Sequence, residues 1–498
     1  MSEHFISRAD AVSDLLSCAA YLAERITNRD GHSDAISAVV PLYLADGNVD
    51  LAAELANSVD DPFTRDRLLT LVAERCAAAD DDEYALQLAE AIEDAGIAAQ
   101  ALETIALQKA AKGQLDRASE IAEQIEHPDY VFAAVATRLA ADGRDAEADE
   151  MLERVEYIAA RVSALQSIAA ECQASDAERS VAYLERAVHE AAGIEHDEER
   201  IRAFVEIGNH LVEFGRSDLA IDAYDKARAS AEQLDNMHRD SFLAAAALGF
   251  LHAGSLDLAE RTLDLVTDKT QLASALVGYA REFWKKGERD DAIESLDEAY
   301  QILRSQRESE TRSAKARFQL FATIAAQLAA FGRAERAIEI AQSIEDPVES
   351  TAALSQIAAI LASLGSDDLA RQALDSIADE DSRAFALIGM SDAKAKAGDR
   401  EAAIKLLDEA EELVVSVPQP ASRSSAYIEI ARRWSHYGET EKASSAAHFA
   451  LETTAAIRDE SRRAVALAEL AGHLRQSGAS LSEPDRKIVE QIAARANL

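Results

Sequence analysis

The chain has 498 residues, 48% of them hydrophobic and 5% aromatic, with 19 glycines and 7 prolines; this composition favours helix almost everywhere, and no alternating strand pattern is found. The 91 acidic and 51 basic residues give a formal net charge of −40, so we expect neither nucleic acid nor membrane among the partners. Such an acid excess with few lysines is typical of a host with high internal salt, or of an ordinary acidic cytosolic protein.

The N-terminal segment, residues 1–32, is expected to form a capping helix region ahead of a repeat array. Its first residues, MSEHFISRAD, lack a basic segment followed by an apolar core and therefore predict no signal peptide. The longest apolar stretch, from Phe242 to Ala253, is too short to span a bilayer. These two observations predict a cytoplasmic protein.

The three cysteines, Cys18, Cys76 and Cys172, lie far apart in apolar helical stretches. Their spacing matches neither a disulfide framework nor a zinc site. We expect buried free thiols in a reducing compartment.

Ten glycines set the register of an internal repeat. They are Gly47, Gly113, Gly143, Gly215, Gly254, Gly287, Gly332, Gly365, Gly398 and Gly438. Each is followed five residues later by an alanine: Ala52, Ala118, Ala148, Ala220, Ala259, Ala292, Ala337, Ala370, Ala403 and Ala443. A small residue stands seven residues before nine of them: Ala106, Ala136, Gly208, Ala247, Ala280, Ala325, Ala358, Ser391 and Ala431, with Val40 as the exception.

This pattern predicts antiparallel helical hairpins. The glycine ends the first helix, helix A, in a left-handed conformation, and the small residues let helix A and helix B approach closely. Asp80 replaces the glycine in one further unit, and another turn is expected near Ser175. Gly478 opens a last, degenerate unit. We expect about a dozen hairpins over residues 33–478, followed by a C-terminal capping helix over 479–498.

The residue twelve after each glycine divides the units into short and long ones. Short units have a β-branched residue there: Val59, Ile92, Ile125, Val155, Val266, Ile344 and Ile377. Long units have an alanine: Ala187, Ala227, Ala299, Ala410 and Ala450. We expect helix B to continue for about two more turns in long units. The extensions Arg228–Arg239 and Leu303–Ser313 are charged and should project into solvent, as partner-contact ridges or as plain solvated helix ends.

Two segments carry a resemblance to a known family. GERDDAIESLDEAYQI (287–302) and EIGNHLVEFGRSDLAIDAYDKA (206–227) resemble the tetratricopeptide (TPR) repeat, with its turn glycine and its alanines. The resemblance implies an all-α solenoid, a TPR-like superhelix whose inner groove is lined by A helices and binds peptides or protein surfaces.

If A helices line a groove, eight residues are candidates for contact with a protein or peptide. They are Arg202, Asn209, Arg281, Trp284, Lys285, Arg432, Trp434 and His436. Arginine and tryptophan dominate binding hot spots, and both tryptophans stand beside local clusters of bases. The alternative for Trp284 and Trp434 is that they fill the apolar space between hairpins, and the sequence favours that alternative.

An arginine also recurs fifteen residues before the turn: Arg65, Arg200, Arg239, Arg317, Arg383, Arg423 and Arg463. A cation at the start of a helix opposes the helix dipole, so a compensating partner is expected. That partner is either an acid on the preceding helix B, which we favour, or an acidic ligand.

No nucleotide-binding, hydrolase or metal-ligand motif is found, so we expect no enzyme activity, no cofactor and no metal. The sequence predicts a non-catalytic scaffold or adaptor for a protein or peptide. Two alternatives stay open: a self-associating structural protein, and a sensor or enzyme whose site is assembled from several repeats. The sequence leaves the oligomeric state open.

Overall fold

The computed structural model describes residues 5–306 and 313–496, which form 28 α-helices and no β-strand. The fold is an all-α solenoid of antiparallel hairpins, as predicted. The chain divides into two compact units, which we call the terminal unit (Met1–Leu102 with Thr351–Leu498) and the central unit (Glu103–Ser350). No helix in the described part of the chain is both long and apolar enough to cross a membrane.

The terminal unit is built from both ends of the chain. Its first helices are α1 (Arg8–Ser13), α2 (Leu15–Ala23), α3 (Arg29–Ala45), α4 (Val49–Asn57), α5 (Pro62–Ala78), α6 (Asp82–Glu90) and the start of α7 (Ala95–Ala111). Its last helices are most of α21 (Pro347–Ser363), α22 (Asp367–Asp375), α23 (Glu380–Lys396), α24 (Arg400–Val414), α25 (Pro420–His436), α26 (Thr440–Ala455), α27 (Glu460–Ser477) and α28 (Glu483–Arg495).

The central unit contains the hairpins between them. Its helices are the end of α7, α8 (Leu115–Ala122), α9 (Asp129–Ala141), α10 (Asp145–Glu153), α11 (Ile158–Cys172), α12 (Ala177–Ala191), α13 (Asp197–Glu213), α14 (Ser217–Glu232), α15 (Arg239–His252), α16 (Leu256–Leu263), α17 (Lys269–Lys286), α18 (Arg289–Ser305), α19 (Ala314–Ala330) and α20 (Ala334–Gln342). Odd-numbered helices from α3 to α25 are A helices and even-numbered ones from α4 to α26 are B helices, which gives the dozen hairpins predicted.

The turn glycines adopt the predicted backbone conformation. All ten have φ between 73° and 88°, a left-handed region in which a side chain costs energy. Asp80, at φ 65°, takes the same conformation in the unit that lacks the glycine, and Gly478 takes it at the end of α27. The predicted register of the turns is therefore confirmed.

The small residues around each turn are buried where the two helices meet. Nine of the ten alanines five residues after the glycine have no exposed surface, and the tenth, Ala443, is also buried. In one unit Ser391 takes the small position on helix A, and its buried hydroxyl donates to the carbonyl of Ala403 at 2.8 Å. Close approach of the two helices is thus the common feature of the hairpins.

The division into short and long units is confirmed. The B helices of short units have 8 or 9 residues, whereas those of long units have 15 to 17. We expected the extensions of the long B helices to project into solvent. One face of these extensions is instead buried, because Ala231, Leu303 and Val414 have no exposed surface. Most of the predicted ridge Leu303–Ser313 lies outside the described residues.

The two ends of the array contact each other inside the terminal unit. We expected end segments with one neighbour missing, but α2 and α3 pack against α27, and α1 and α2 pack against α28. The approach is close: a Cβ added to Gly472 of α27 would lie 3.2 Å from Leu42 of α3. The boundaries proposed for the capping segments, residues 1–32 and 479–498, stay predictions, and α3 begins at Arg29.

The three cysteines are buried and unpaired by disulfides, as expected. Burial raises the pKa of the Cys18 thiol to about 12 and that of Cys76 to about 11. A thiol with so high a pKa is a weak nucleophile at neutral pH. We therefore assign these residues to the packing of α2, α5 and α11.

The recurring arginines have a partner that the sequence did not predict. Several of them donate to the backbone carbonyl six residues earlier, just beyond the end of the preceding helix B. The pairs are Arg200 to Ile194 and Arg423 to Val417 at 2.8 Å, and Arg463 to Ile457 at 2.9 Å. The cation thus lies at the negative end of the helix B dipole, which offsets its position at the start of helix A. The prediction that an acid on the preceding helix B pairs with the arginine was therefore wrong for Arg200, Arg423 and Arg463.

Candidate functional site

The eight residues proposed from the sequence are divided between the two units. Five belong to the central unit (Arg202, Asn209, Arg281, Trp284 and Lys285) and three to the terminal unit (Arg432, Trp434 and His436). Their side chains also differ in exposure and in partners, so the two units are described separately.

In the central unit the proposed residues are mostly engaged by neighbours. Asn209 accepts a hydrogen bond from the hydroxyl of the buried Tyr224 at 2.8 Å. Lys285 is exposed and pairs with Glu282 of its own helix at 2.7 Å. Arg281 lies on α17, and its Nε is 2.6 Å from the side-chain amide oxygen of Gln327 on α19. Arg202 is exposed on α13.

Trp284 is half-buried and stacks on Phe331, with ring centroids 4.0 Å apart and an angle of 9° between the planes. The guanidinium of Arg289 lies 5.2 Å from the Trp284 ring centroid on the next helix. Packing between helices therefore accounts for much of the environment of Trp284, because its contacts join α17 to α18 and to the end of α19.

Trp434 is fully buried, so its assignment to a partner-binding groove was wrong. Its indole N–H donates to Glu411 of α24 at 2.9 Å, and the Lys442 ammonium lies 4.2 Å from its ring centroid. A buried tryptophan whose only donor is satisfied acts in packing. The predicted alternative, that it fills the space between hairpins, is confirmed for this residue.

Arg432 and His436 are the two proposed residues that the structure does bring together. They line a cleft of about 550 Å³ in the terminal unit, which we call the C-terminal cleft. Arg432 and His436 of α25, Leu451 of α26, His473 of α27, Leu481 of the following loop and Asp485 of α28 define it. Its volume falls in the range of small-molecule sites.

His473 and Asp485 are the residues of this cleft that sequence reasoning missed. Asp485 is held by His448, whose Nδ1 is 2.6 Å from its Oδ1, and by Ser482 in a capping box. Those bonds lower the pKa of Asp485 against the opposing effect of burial. A sequence signal existed for His473, because it is the one ionisable residue in the run LAGHL.

A second concave surface lies on the A helices near the N-terminus and was not predicted either. Ser37 and Pro41 of α3, Phe63, Arg67 and Leu71 of α5, and Ile97 of α7 line a cleft of about 460 Å³, which we call the Phe63 cleft. Phe63 is 61% exposed, and the Arg67 guanidinium lies 5.8 Å from its ring centroid.

The Phe63 cleft also has an acidic side chain, Glu74, on its wall. Burial raises the pKa of the Glu74 carboxyl, because the apolar surroundings disfavour its charged form. The cleft therefore presents one basic and one acidic side chain beside apolar residues and uncharged polar ones. The sequence signal was an aromatic residue directly after Asp61 and Pro62, where a helix begins.

Within residues 5–306 and 313–496 no group of three or more His, Cys, Asp or Glu side chains is arranged to hold a metal ion.

No protein-family model matches the sequence, and no curated protein matches it. Among solved structures it is similar to Ton1535 from Thermococcus onnurineus NA1, at 17% identity over 70% of this chain and 97% of that one, with a TM-score of 0.25. TPR-like repeats of a putative kinesin light chain from Podosopora anserina are 19% identical over 45% of this chain and 100% of that one, with a TM-score of 0.25. The Cut9–Hcn1 hetero-tetramer of APC/C is 15% identical over 90% of this chain and 89% of that one, with a TM-score of 0.22.

TM-scores this low carry no argument by themselves. The left-handed turn residues, the buried alanines and the paired helices of the chain itself define a TPR-like helical repeat architecture.

Proposed function

We propose that the protein is a non-catalytic scaffold that binds a protein or peptide segment, and that the Phe63 cleft is one of its contact surfaces. The observation that carries the proposal is the exposure of Phe63 on a chain with a net charge of −40. The core-facing side of α5 is already filled by Leu69, Val72 and Ala73, so Phe63 contributes little to packing. An apolar patch inside a concave, charged surface is typical of an interaction site.

The lining of this cleft defines the kind of segment that fits it. An apolar side chain of the partner would enter between Phe63 and Leu71, where both rims are apolar. Arg67 and Glu74 offer one charge of each sign, so we expect affinity to depend weakly on salt. A weak dependence of the affinity on salt would distinguish this contact from a purely electrostatic attraction to the acidic surface.

We also propose Arg202, Arg281 and Lys285 as contact residues of the central unit for an acidic segment. Arg202 and Lys285 are exposed, which supports a role in contact. Lys285 pairs with Glu282, whose side chain is only 12% exposed, but an ammonium has three N–H donors, so the others remain for a partner carboxylate.

The experiment for the Phe63 cleft uses a photo-crosslinking amino acid in place of Phe63 in the full chain, followed by identification of the crosslinked peptide. Binding of that peptide is then compared for wild type, Phe63→Ser and Val348→Ser. Val348 is a matched control because it is also exposed and also follows an Asp-Pro pair at the start of an A helix, Asp346-Pro347.

We expect Phe63→Ser to weaken binding by about tenfold or more, as for the loss of a central apolar anchor, and Val348→Ser to leave it unchanged. Equal affinity of both variants would remove the Phe63 cleft from the proposal. Crosslinks only to a second copy of the chain would favour the self-associating alternative.

A further inference from the structure

His473 is a buried histidine whose ring has no partner in the described part of the chain. Its side chain is 3% exposed and lines the C-terminal cleft, and none of the described residues makes a hydrogen bond to its ring nitrogens. Most buried polar groups in proteins have a hydrogen-bond partner, and the ring nitrogens of His473 can gain one from a molecule that enters the cleft.

In two other histidines of this chain the ring nitrogens do have hydrogen-bond partners. His32 has its Nδ1 2.8 Å from the carbonyl of Ala23 and its Nε2 3.2 Å from that of Ser58. His448, next to the C-terminal cleft, is held by Asp485. Their ring contacts tie helices together. His473 lacks such contacts, so its polar atoms are available to a molecule in the cleft.

The charges of the cleft favour an anion. Arg432 is partly exposed and places one nitrogen, Nη1, 2.5 Å from Glu429. A guanidinium has five N–H donors, so most of those on Arg432 remain for a ligand. Glu429 also pairs with Arg433, and Asp485 is hydrogen-bonded to the ring of His448 and to the hydroxyl of Ser482. These two acids therefore have partners, whereas Glu469, which is near Arg432 and whose pKa is raised by burial, does not line the cleft.

The floor of the cleft is apolar. Leu451 and Leu470 are buried, and the alanines Ala443 and Ala447 beside them are nearly so. A cleft with an apolar floor and a few convergent polar groups on its wall is the usual form of a small-molecule site. The ligand class that matches these walls has an apolar body and one anionic head group.

We propose that the C-terminal cleft binds a small organic carboxylate, with Arg432 and His473 contacting the carboxylate and the partly exposed Leu474 and Leu481 contacting the apolar body. Burial lowers the pKa of His473, with Arg432 adding to that effect and Glu429 opposing it, so the ring is neutral at neutral pH. A neutral imidazole still donates one N–H to a carboxylate oxygen. The site contains none of the residues of the Phe63 cleft and is independent of it.

A ligand bound in this cleft would contact all of the helices that form it. Residues of α25, α26, α27 and α28 all line it, and α28 also packs against α1 and α2 of the N-terminal segment. A ligand there contacts the last hairpin, α27 and the C-terminal helix α28 at once. This matches the alternative left open by the sequence, a sensor site assembled from several repeats.

The experiment titrates the full chain, carrying isotope-labelled histidine, with benzoate and separately with benzamide, which has the same shape but no charge. The nuclear magnetic resonance signal of His473 is assigned by its loss in His473→Gln. The affinity for benzoate is then measured for wild type, Arg432→Gln and the matched control His238→Gln, which removes an exposed histidine of the central unit.

We expect a saturable shift of the His473 signal with benzoate and a much smaller one with benzamide. Arg432→Gln should raise the Kd for benzoate by about tenfold, and His238→Gln should leave it unchanged. Since Arg433 still neutralises Glu429, Arg432→Gln keeps the fold even if His473→Gln does not. Equal shifts with both compounds, no saturable shift, or unchanged affinity in Arg432→Gln would each overturn the proposal and leave a cleft that holds only water.

Discussion

Arg475 and Asp46 are 429 residues apart in the sequence, and their side chains are joined by an ion pair of 2.8 Å in the terminal unit. Arg475 lies in the last turn of α27, and Asp46 follows the end of α3. The same guanidinium is 3.1 Å from Asp14, which caps the start of α2. One arginine thus connects α27 to two helices from the beginning of the chain.

We predict that Arg475→Gln lowers the free energy of unfolding modestly, by about 0.2–1 kcal/mol for each of the two partly exposed pairs. The effect should shrink at high salt, because exposed charges are screened. Urea unfolding at low and high salt measures both. Arg462→Gln, an exposed arginine on the same helix, is the control for the change in net charge. An equal loss in that control would mean that net charge, rather than the contact between the chain ends, is responsible.

Tyr224 is fully buried between two glycines on neighbouring A helices. A Cβ added to Gly208 of α13 or to Gly249 of α15 would lie 2.7 Å from Cζ of its ring. The ring cannot move away from one without meeting the other. We therefore predict that Gly208→Ala and Gly249→Ala each destabilise the protein by about 1–3 kcal/mol, as overpacking does, measured by thermal or urea unfolding.

Gly389 provides the control for these two changes. It also lies inside an A helix, α23, but a Cβ added there would have no atom within 4 Å. Alanine favours helix over glycine by about 0.8–1 kcal/mol, so Gly389→Ala should raise stability. Destabilisation by all three alanines would show that loss of glycine itself, and not the contact with Tyr224, is the cause.

The sequence predicted most of the fold because its period is carried by residues that each have one physical role. Glycine or Asp80 at a left-handed turn, and alanine at a helix crossing, are local requirements that repeat along the chain. The contact of α27 with α2 and α3 was missed because it joins distant segments and leaves no local pattern.

The candidate sites were predicted less well, and the reason is again physical. Whether Trp434 is buried or exposed depends on how neighbouring hairpins pack, which its local sequence does not fix. Arg432 and His436, proposed as groove residues, line the C-terminal cleft, but the position of His473 in it depends on a cleft assembled from four helices. Cytoplasmic location and adaptation to high salt stay predictions.

The arginines that precede the turns supply a third prediction. Arg463 is buried and donates to the carbonyl of Ile457, which lies beyond the end of α26. Arg463→Met keeps most of the side-chain volume but removes a charged hydrogen bond, so we expect a loss of about 1.5–3 kcal/mol in unfolding free energy. Arg462→Met, next to it and exposed, should change stability by only a few tenths of a kcal/mol. Similar values for both would show that the carbonyl contact contributes nothing.

Burial of His473 predicts how stability depends on pH. Its pKa in the folded protein lies below the value of about 6.5 for a histidine in an unfolded chain. As the pH falls through about 6.5, the unfolded state therefore takes up a proton that the folded state does not, and stability falls with pH. The loss ends once the pH is below the folded pKa as well. His473→Gln removes this term, so its unfolding free energy should fall less than that of wild type between neutral and mildly acidic pH.

The measurement is urea unfolding at several pH values for wild type, His473→Gln and His238→Gln, in which each variant lacks one histidine. Comparing differences between variants cancels the contributions of the other titrating groups. If His473→Gln ran parallel to wild type across this pH range, the ring would have to be protonated equally in both states, which requires a polar partner at its nitrogens. A buried, unpartnered imidazole would then be excluded, and with it the main reason to place a ligand in the C-terminal cleft.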